Sequence, residues 1–378
     1  MAKTQSDFYN LLTKALMAYL TDLHGEDNWD AARHGKRVNK HVFIWSLFLR
    51  LNHILRRYGI CLTTVHDFSA RFDHVVGDHG EGLSNTFRML ADEYSRRAFI
   101  EILAYRVFGS RHVKLWTNTP GYWKTRAIAE SLPTGDRNTD TGIDILRLAK
   151  TDLHSIDYPI TIFTHPLAIT HQFLLTQYAY EQTDPPIWVS EGEYVIDAGA
   201  AWGDTTLRFA HEVGEQGRVY SFEFEPRCLE ILTTNLQLNP ELASRVSIVK
   251  KALWRDSHAT LTFDSRGPGT RVSEDVSGLP YNQVSSVSID NFAGSLARVD
   301  FIKMDIEGAE LPALRGAERT IRKHLPKLAI SLYHSISDLV DIPAYLDSLG
   351  LEYEYYLDHA SIHSEETVLF AAPKALMA

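Results

Sequence analysis

Residues 195–206 read VIDAGAAWGDTT, and a periodic run, LRFAHEV, takes over at 207. Val195 and Ile196 lead into Asp197, and small residues follow, with Gly199 and Gly203 among them. This is the pattern of a strand that passes through a glycine turn into a helix. At such a junction the missing Cβ lets backbone approach a neighbour closely, and a nucleotide is the expected neighbour.

Outward from this turn, strand-like and helical runs alternate from Asp184-Pro185-Pro186 onward. Candidate strands are YVIDAG (194–199), RVYSFEF (218–224), VSIVKKAL (246–253), VSSVSID (284–290), DFIKMDI (300–306) and KLAISLYH (327–334). Helical runs, notably RCLEILTTNLQL and ELPALRGAERTIRKHL, lie between them. LEYEYYL and TVLFAAP flank HASIHSEE as a closing antiparallel hairpin. Alternation of this kind makes an α/β fold with a mostly parallel sheet covered on both faces. The first part of the chain is mainly helical in pattern, as in LADEYSRRAFIEILAYRVFG (90–109), while FLLTQYAY (173–180) suits a helix or a strand equally. The expected division is a mainly helical domain over 1–185, for substrate, lid or oligomer contacts, and a nucleoside-binding domain over 186–378.

Composition narrows the classes. At 378 residues, 44% hydrophobic and 23% charged, the chain is long enough for two domains. The longest apolar stretch, VFIWSLFL at 42–49, is too short for a bilayer and no leader pattern opens the chain, so a cytoplasmic location is expected. Cys61 and Cys228 are too few for a disulfide framework or a cysteine-ligated zinc. A formal charge of −10 argues against a nucleic-acid partner. Between Asp30 and Asp67 there is no acid, and the basic residues at 33–57 surround apolar ones. That segment is either a core-facing helix with a solvated basic side or a peripheral contact with an anionic membrane or an acidic substrate. The oligomeric state stays open.

In an open parallel sheet, ligands bind beyond the carboxyl ends of the strands. There the sequence places Asp197 and the glycine turn, Glu223 roughly 20 residues on where an acid bonds a ribose diol, Asp305 and Glu307, and His334. The glycine turn alone also suits a nicotinamide enzyme. A carboxylate at Asp197, however, repels a pyrophosphate and attracts an ammonium group, and the third glycine of the dinucleotide fingerprint is missing, with Leu207 or Arg208 in its place. A sulfonium nucleoside carrying an amino acid, S-adenosylmethionine, fits both ends.

YVIDAGAAWGDTTLRFA, VYSFEFEPRCLEILTTNLQLNPEL, VSIDNFAGSLARVDFIKMDIEGAELPALRGAERTI and PKLAISLYH together resemble the FkbM family of S-adenosylmethionine-dependent methyltransferases, over about 186–372. The resemblance implies a Rossmann-like class I methyltransferase sheet and O-methylation, often of a sugar hydroxyl in a glycan, glycolipid or glycosylated natural product. It carries cofactor contacts onto Asp197, Gly199, Ala200, Gly203, Glu223 and Asp305, with Ala252 and Leu253 at the adenine edge. Trp202 departs from the small residue usual in this turn and covers the methionine portion, lines the acceptor site or simply packs. Glu225 competes with Glu223 for the ribose.

Methyl transfer is an in-line displacement from a positive sulfur, so the protein must align the acceptor oxygen, exclude water and remove a proton. His334 is the expected base, oriented by Asp305. In a metal-assisted alternative, Asp305 ligates magnesium and the metal lowers the hydroxyl pKa. Glu310 begins the next helix, where an acid suits the dipole. Tyr178 and Tyr180 are either a lid over the cofactor or, the reading that their alternating spacing favours, buried core aromatics; Tyr178, Glu307, His359 and His363 are the expected substrate contacts, with Glu365 beside them. A non-catalytic nucleoside-binding protein explains the glycine turn but not the acids and histidine on the same rim.

Overall fold

The computed structural model describes residues 2–21, 30, 70–110, 113–133, 147–274 and 282–377. The strand ahead of the glycine turn, β1 (Tyr194–Ala198), lies in the middle of a seven-stranded sheet. The others are β2 (Arg218–Phe222), β3 (Val246–Val249), β4 (Phe301–Met304), β5 (Lys327–Ser331), β6 (Tyr353–His359) and β7 (Thr367–Pro373). Their order is β3-β2-β1-β4-β5-β7-β6, and only β7 runs against its neighbours. The strand order reverses beside β1, between β1 and β4, which opens the crevice where ligands of such sheets bind. Both faces of β4 are buried, as its unbroken apolar character apart from Lys303 requires of a central parallel strand.

Two strands expected in this sheet behave otherwise. The run 246–253 breaks at Lys250-Lys251, and Ala252–Leu253 pairs with Ser286–Val287 instead. The strand expected at 284–290 is Asn282–Val287, which joins Ala252–Leu253, Thr260–Phe263 and Val272–Ser273 in a separate four-stranded sheet. Its outer residues Asn282, Gln283 and Ser285 are exposed, too polar to be covered on both faces. FLLTQYAY becomes neither a helix nor a strand: a π-helical turn, Ile169–Leu174, gives way to a loop that buries Tyr178 and Tyr180.

Helices α1 (Ala2–Thr21), α2 (Gly80–Met89) and α3 (Glu93–Phe108) cover the β6 edge of the sheet, and their Phe8, Phe99 and Leu103 share one apolar cluster with Leu357 and Leu369. Asp92 caps α3 by accepting from the Ser95 amide at 2.7 Å, and the Ser95 hydroxyl in turn accepts from the Leu357 amide at 2.9 Å. The N-terminal helices are thereby hydrogen-bonded to the closing hairpin as well as packed on it. Among the described residues no helix is long and apolar enough to cross a membrane. The basic segment 33–57 lies outside the described residues.

Candidate active site

The turn after β1 is shaped by two close approaches. Gly199 has a φ of +81°, and a Cβ there would stand 1.9 Å from the Asp305 carbonyl oxygen; Gly203 has a φ of +88°, and a Cβ would meet Leu232 at 2.5 Å. The glycines therefore let the β1 and β4 ends touch and seat helix α4 (Asp204–Glu212) against its neighbour. Ala200 is fully buried beneath the turn.

Asp197 does not face the cleft, against expectation. Its carboxylate is fully buried, accepts from the Thr205 and Thr206 hydroxyls at 2.9 and 2.7 Å, and pairs with the Lys303 ammonium at 3.2 Å. Lys303, which the sequence reading passed over, also donates to the Ala198 and Gly199 carbonyls at 3.0 and 2.6 Å. Asp197 thus braces the turn from beneath, and its charge is met internally. Of the roles open to Trp202, the structure has the packing one and not the cofactor contact: it lies with Leu148, Cys228 and Ile231.

Glu223 stands on the cleft, where its carboxylate accepts from the amides of Ala201 at 2.9 Å, Phe224 at 2.7 Å and Glu225 at 2.8 Å. Burial pushes its carboxyl up to about 7, opposed by those three amides. Glu225 is engaged elsewhere, capping Pro226–Leu238 by accepting from the Cys228 amide at 2.8 Å. The cleft holds about 490 Å³, counting its open mouth. Phe224, Ala252 and Leu253 give it an apolar wall, Glu223 lies at one end, and Asp305 and Glu307 lie at the other.

At that second end the side chains interlock. Asp305 accepts from the Tyr178 phenol at 2.8 Å and from the Tyr333 phenol at 2.9 Å. Burial and Asp305 raise both phenols far above their ordinary value, so they remain donors. Burial by itself would push the Asp305 carboxyl up, but His334, Lys303 and the two phenols outweigh it and hold it below the ordinary range.

His334 is surrounded by acids: Glu310 at 3.2 Å from Nδ1, and Asp305 and Glu307 at 3.4 and 3.6 Å from Nε2. These are ion-pair distances. Burial works against the charged ring, but Glu307, Glu310 and Asp305 prevail and raise it to about 11. Acids on both ring nitrogens favour the charged imidazolium, which does not suit His334 to the role of base expected of it. Glu310 does more than begin a helix: it accepts from the Ile306 and Gly308 amides at 2.7 and 2.9 Å, closing the turn that carries Glu307.

Ligand atoms of Asp305, Glu310 and His334 lie within 4.8 Å of one another, the one such group among the described residues that resembles a metal site. The donor set does not suit magnesium. Both Glu310 oxygens are taken by backbone amides, and the imidazolium already supplies the positive charge that balances the acids.

The expected substrate contacts divide. Tyr178 and Glu307 reach the acid end. His359, which burial holds neutral at about 3, bonds Thr367 at 2.9 Å and lines a second cavity. His363 turns away to Asp30 at 3.1 Å, beside Arg126, in an ion-pair network. Tyr180 forms no lid: its phenol contacts Asp92 and Ser95 beneath α3. Sequence reasoning also missed Tyr333, Gln177 and Glu366. Glu366 is held by a short contact with the Gln177 amide and lies 3.8 Å from His171. Tyr333 had one signal, its place beside a rim histidine, whereas the others lie in segments without regular pattern.

The sheet order, the turn after β1 and the cleft beyond the strand ends are those of the class I methyltransferase fold. Residues 197–355 match the family model described as the methyltransferase FkbM domain. The crystal structure of methyltransferase FkbM from Methylobacillus flagellatus KT resembles this chain with a TM-score of 0.50 at 19% identity, covering 85% of this chain and 69% of that one. Methyltransferase sdnD of Sordaria araneosa is 22% identical over 211 residues, 47% of this chain and 80% of its own length. Methyltransferase 1 of Beauveria bassiana (strain ARSEF 2860) is 26% identical over 187 residues, 42% of this chain and 72% of its own. Residues 197–355 are thus similar to FkbM methyltransferase domains, and the chain is an S-adenosylmethionine-dependent methyltransferase.

Proposed function

We propose that the chain methylates a hydroxyl oxygen, most readily one on a sugar ring, using the cleft between Glu223 and Asp305. S-adenosylmethionine supplies a methyl group on a positively charged sulfur. The residues suit it: Glu223 offers carboxylate to a ribose diol, Phe224, Ala252 and Leu253 offer an apolar wall to a purine, and the acid end receives positive charge.

The observation that carries the choice of oxygen is the acid end itself, where Asp305, Glu307, Glu310 and Glu366 outnumber His334 and Lys303. Among acids an amine is held as an ammonium ion, whose lone pair is occupied. A hydroxyl keeps its lone pairs and can give its proton to a carboxylate. The sugar is supported by the second cavity, about 180 Å³, lined by Tyr94, Tyr122, Thr117, Gln177, Asp358 and His359. An engineered cavity of about 150 Å³ holds a benzene ring, so this one has room for a six-membered ring with polar substituents. Aromatic faces beside hydroxyl and carboxylate groups suit the alternating apolar and polar faces of a sugar. The N-terminal segment belongs to this reading as the acceptor side's wall: Arg106 of α3 donates to the Tyr333 carbonyl at 3.2 Å.

The test is incubation with methyl-labelled donor and a panel of glycosides, matched amino sugars and simple phenols, followed by hydrolysis and mass spectrometry. The expected product is labelled sugar O-methyl ether. Label on an amine overturns the choice of oxygen; label on phenols alone overturns the sugar.

A further inference from the structure

The separate four-stranded sheet reaches the cleft through one arm. Thr260–Phe263 and Val272–Ser273 pair antiparallel and carry DSRGPGTR, residues 264–271, between them. The tip of this arm is a built turn. The Thr270 amide donates to the Gly267 carbonyl at 3.1 Å, with Pro268 in the second place of the turn, where its fixed backbone suits. The Thr270 hydroxyl donates to the same carbonyl at 2.7 Å and accepts from the Arg266 amide at 2.9 Å. Gly267 and Thr270 are buried although they lie at the end of an arm. What they line, with Pro268 and Val272, is the cleft that also holds Gly199, Glu223 and Asp305.

The root of the arm is fixed on the apolar wall of that cleft. The Phe263 ring meets Phe224 edge-on with centres 5.0 Å apart, and Val272 packs against the cluster of Ala252, Trp254, Leu261 and Ala309. The arm also reaches the acid end, where the Arg271 guanidinium lies 3.8 Å from a Glu307 carboxylate oxygen. The same oxygen is 3.6 Å from His334 Nε2, and Glu307 has a φ of +59°, a left-handed backbone that a residue with a Cβ adopts at a cost and that tends to mark functional positions. Arg271 is 64% exposed, so what it brings to the arm is charge rather than packing.

We infer that this arm is part of the donor site: it covers S-adenosylmethionine in the cleft, with Pro268 and Val272 on the purine side, and Arg271 latches it onto Glu307. This rests on the cleft reading given above. Small-molecule sites bury about 70–90% of their ligand, which calls for a wall beyond the strand ends and the turns that follow them. The four-stranded sheet supplies that wall from outside the parallel one, and its tip of proline, glycine and threonine sets no positive charge against a sulfonium. The latch is a partly exposed ion pair. Such a pair shifts an equilibrium by up to about fivefold, and salt weakens it, so the arm opens readily to admit the donor and its closure slows departure. Arg271 is thus a positioning residue, acting on the donor through the arm.

The inference is tested without any acceptor. Release of S-adenosylhomocysteine from the immobilised full chain is followed by surface plasmon resonance. Arg271→Ala should release it faster, by up to about fivefold, and Arg271→Lys at close to the unaltered rate. Added salt should speed release from the unaltered protein and leave Arg271→Ala unmoved. Binding by the variants also shows that they fold. Trypsin reads the arm itself, because the Arg266 side chain is 72% exposed. Bound S-adenosylhomocysteine should slow cleavage after Arg266 and leave unchanged the cleavage after Arg298, which precedes β4 at the other end of the strands. Release from Arg271→Ala at the unaltered rate, or cleavage after Arg266 that the bound ligand does not slow, overturns the inference. Failure of S-adenosylhomocysteine to bind the unaltered protein overturns the cleft reading instead.

Discussion

The two ends of the cleft are built differently. At the Glu223 end the carboxylate is held by three backbone amides within its own turn and the facing one, and the glycines of that turn answer to backbone contacts. At the Asp305 end, side chains hold side chains: two phenols, an imidazolium and four acids drawn from segments as far apart as residues 178 and 366. Backbone donors belong to any sequence with the right turn, whereas a side-chain network fails when one member changes.

Lys303 is where the ends meet, since it neutralises Asp197 beneath the turn and lies 5.2 Å from the ring centre of Tyr178. Lys303→Met leaves the fully buried Asp197 carboxylate without its counter-charge. The expected loss is about 3–5 kcal/mol of stability, read from denaturant unfolding. A loss under about 1 kcal/mol would mean that the ends do not share this support.

His334→Gln tests the acid end alone. It removes a buried cation from among three carboxylates, and about 3 kcal/mol of stability should go with it at neutral pH. The sign with pH follows from the raised affinity for protons. The folded imidazole keeps its proton up to about 11, whereas an unfolded one loses it near 6.5. Its contribution is therefore complete below about 6.5 and fades as pH rises through 11. Unfolding curves for the two proteins should converge along that window; a constant gap would mean a neutral, packing histidine.

The smallest effects separate two neighbouring acids at the other end. Glu223→Gln turns an amide donor toward backbone donors, and affinity for S-adenosylhomocysteine should fall roughly tenfold, about 1.4 kcal/mol. Glu225→Ala should leave that affinity unchanged and lower stability by about 1 kcal/mol, the value of a helix cap. The reverse pattern would exchange their roles.

How much of this was legible in the sequence follows the same division. The glycine turn, the acid ending β2 and the closing hairpin are local patterns, with their meaning set by period and by neighbours a few residues away. Asp197 was misread for a specific reason: its partner Lys303 lies 106 positions on, and a charge next to a turn looks free until the strand beside it is known. His334 was misread likewise, because a histidine at a strand end suggests a base unless three acids are seen to surround it.

By itself, then, the sequence determined the alternating α/β architecture, the place of the glycine turn and the rim of the sheet on which Glu223, Asp305, Glu307 and His334 gather, because periodicity and backbone sterics act over short distances. The tertiary structure alone decided which of the rim's charges are spent inside the protein and which face the cleft. Protonation depends on burial and on charges a few ångströms away, and those distances exist only once strands remote in sequence lie side by side.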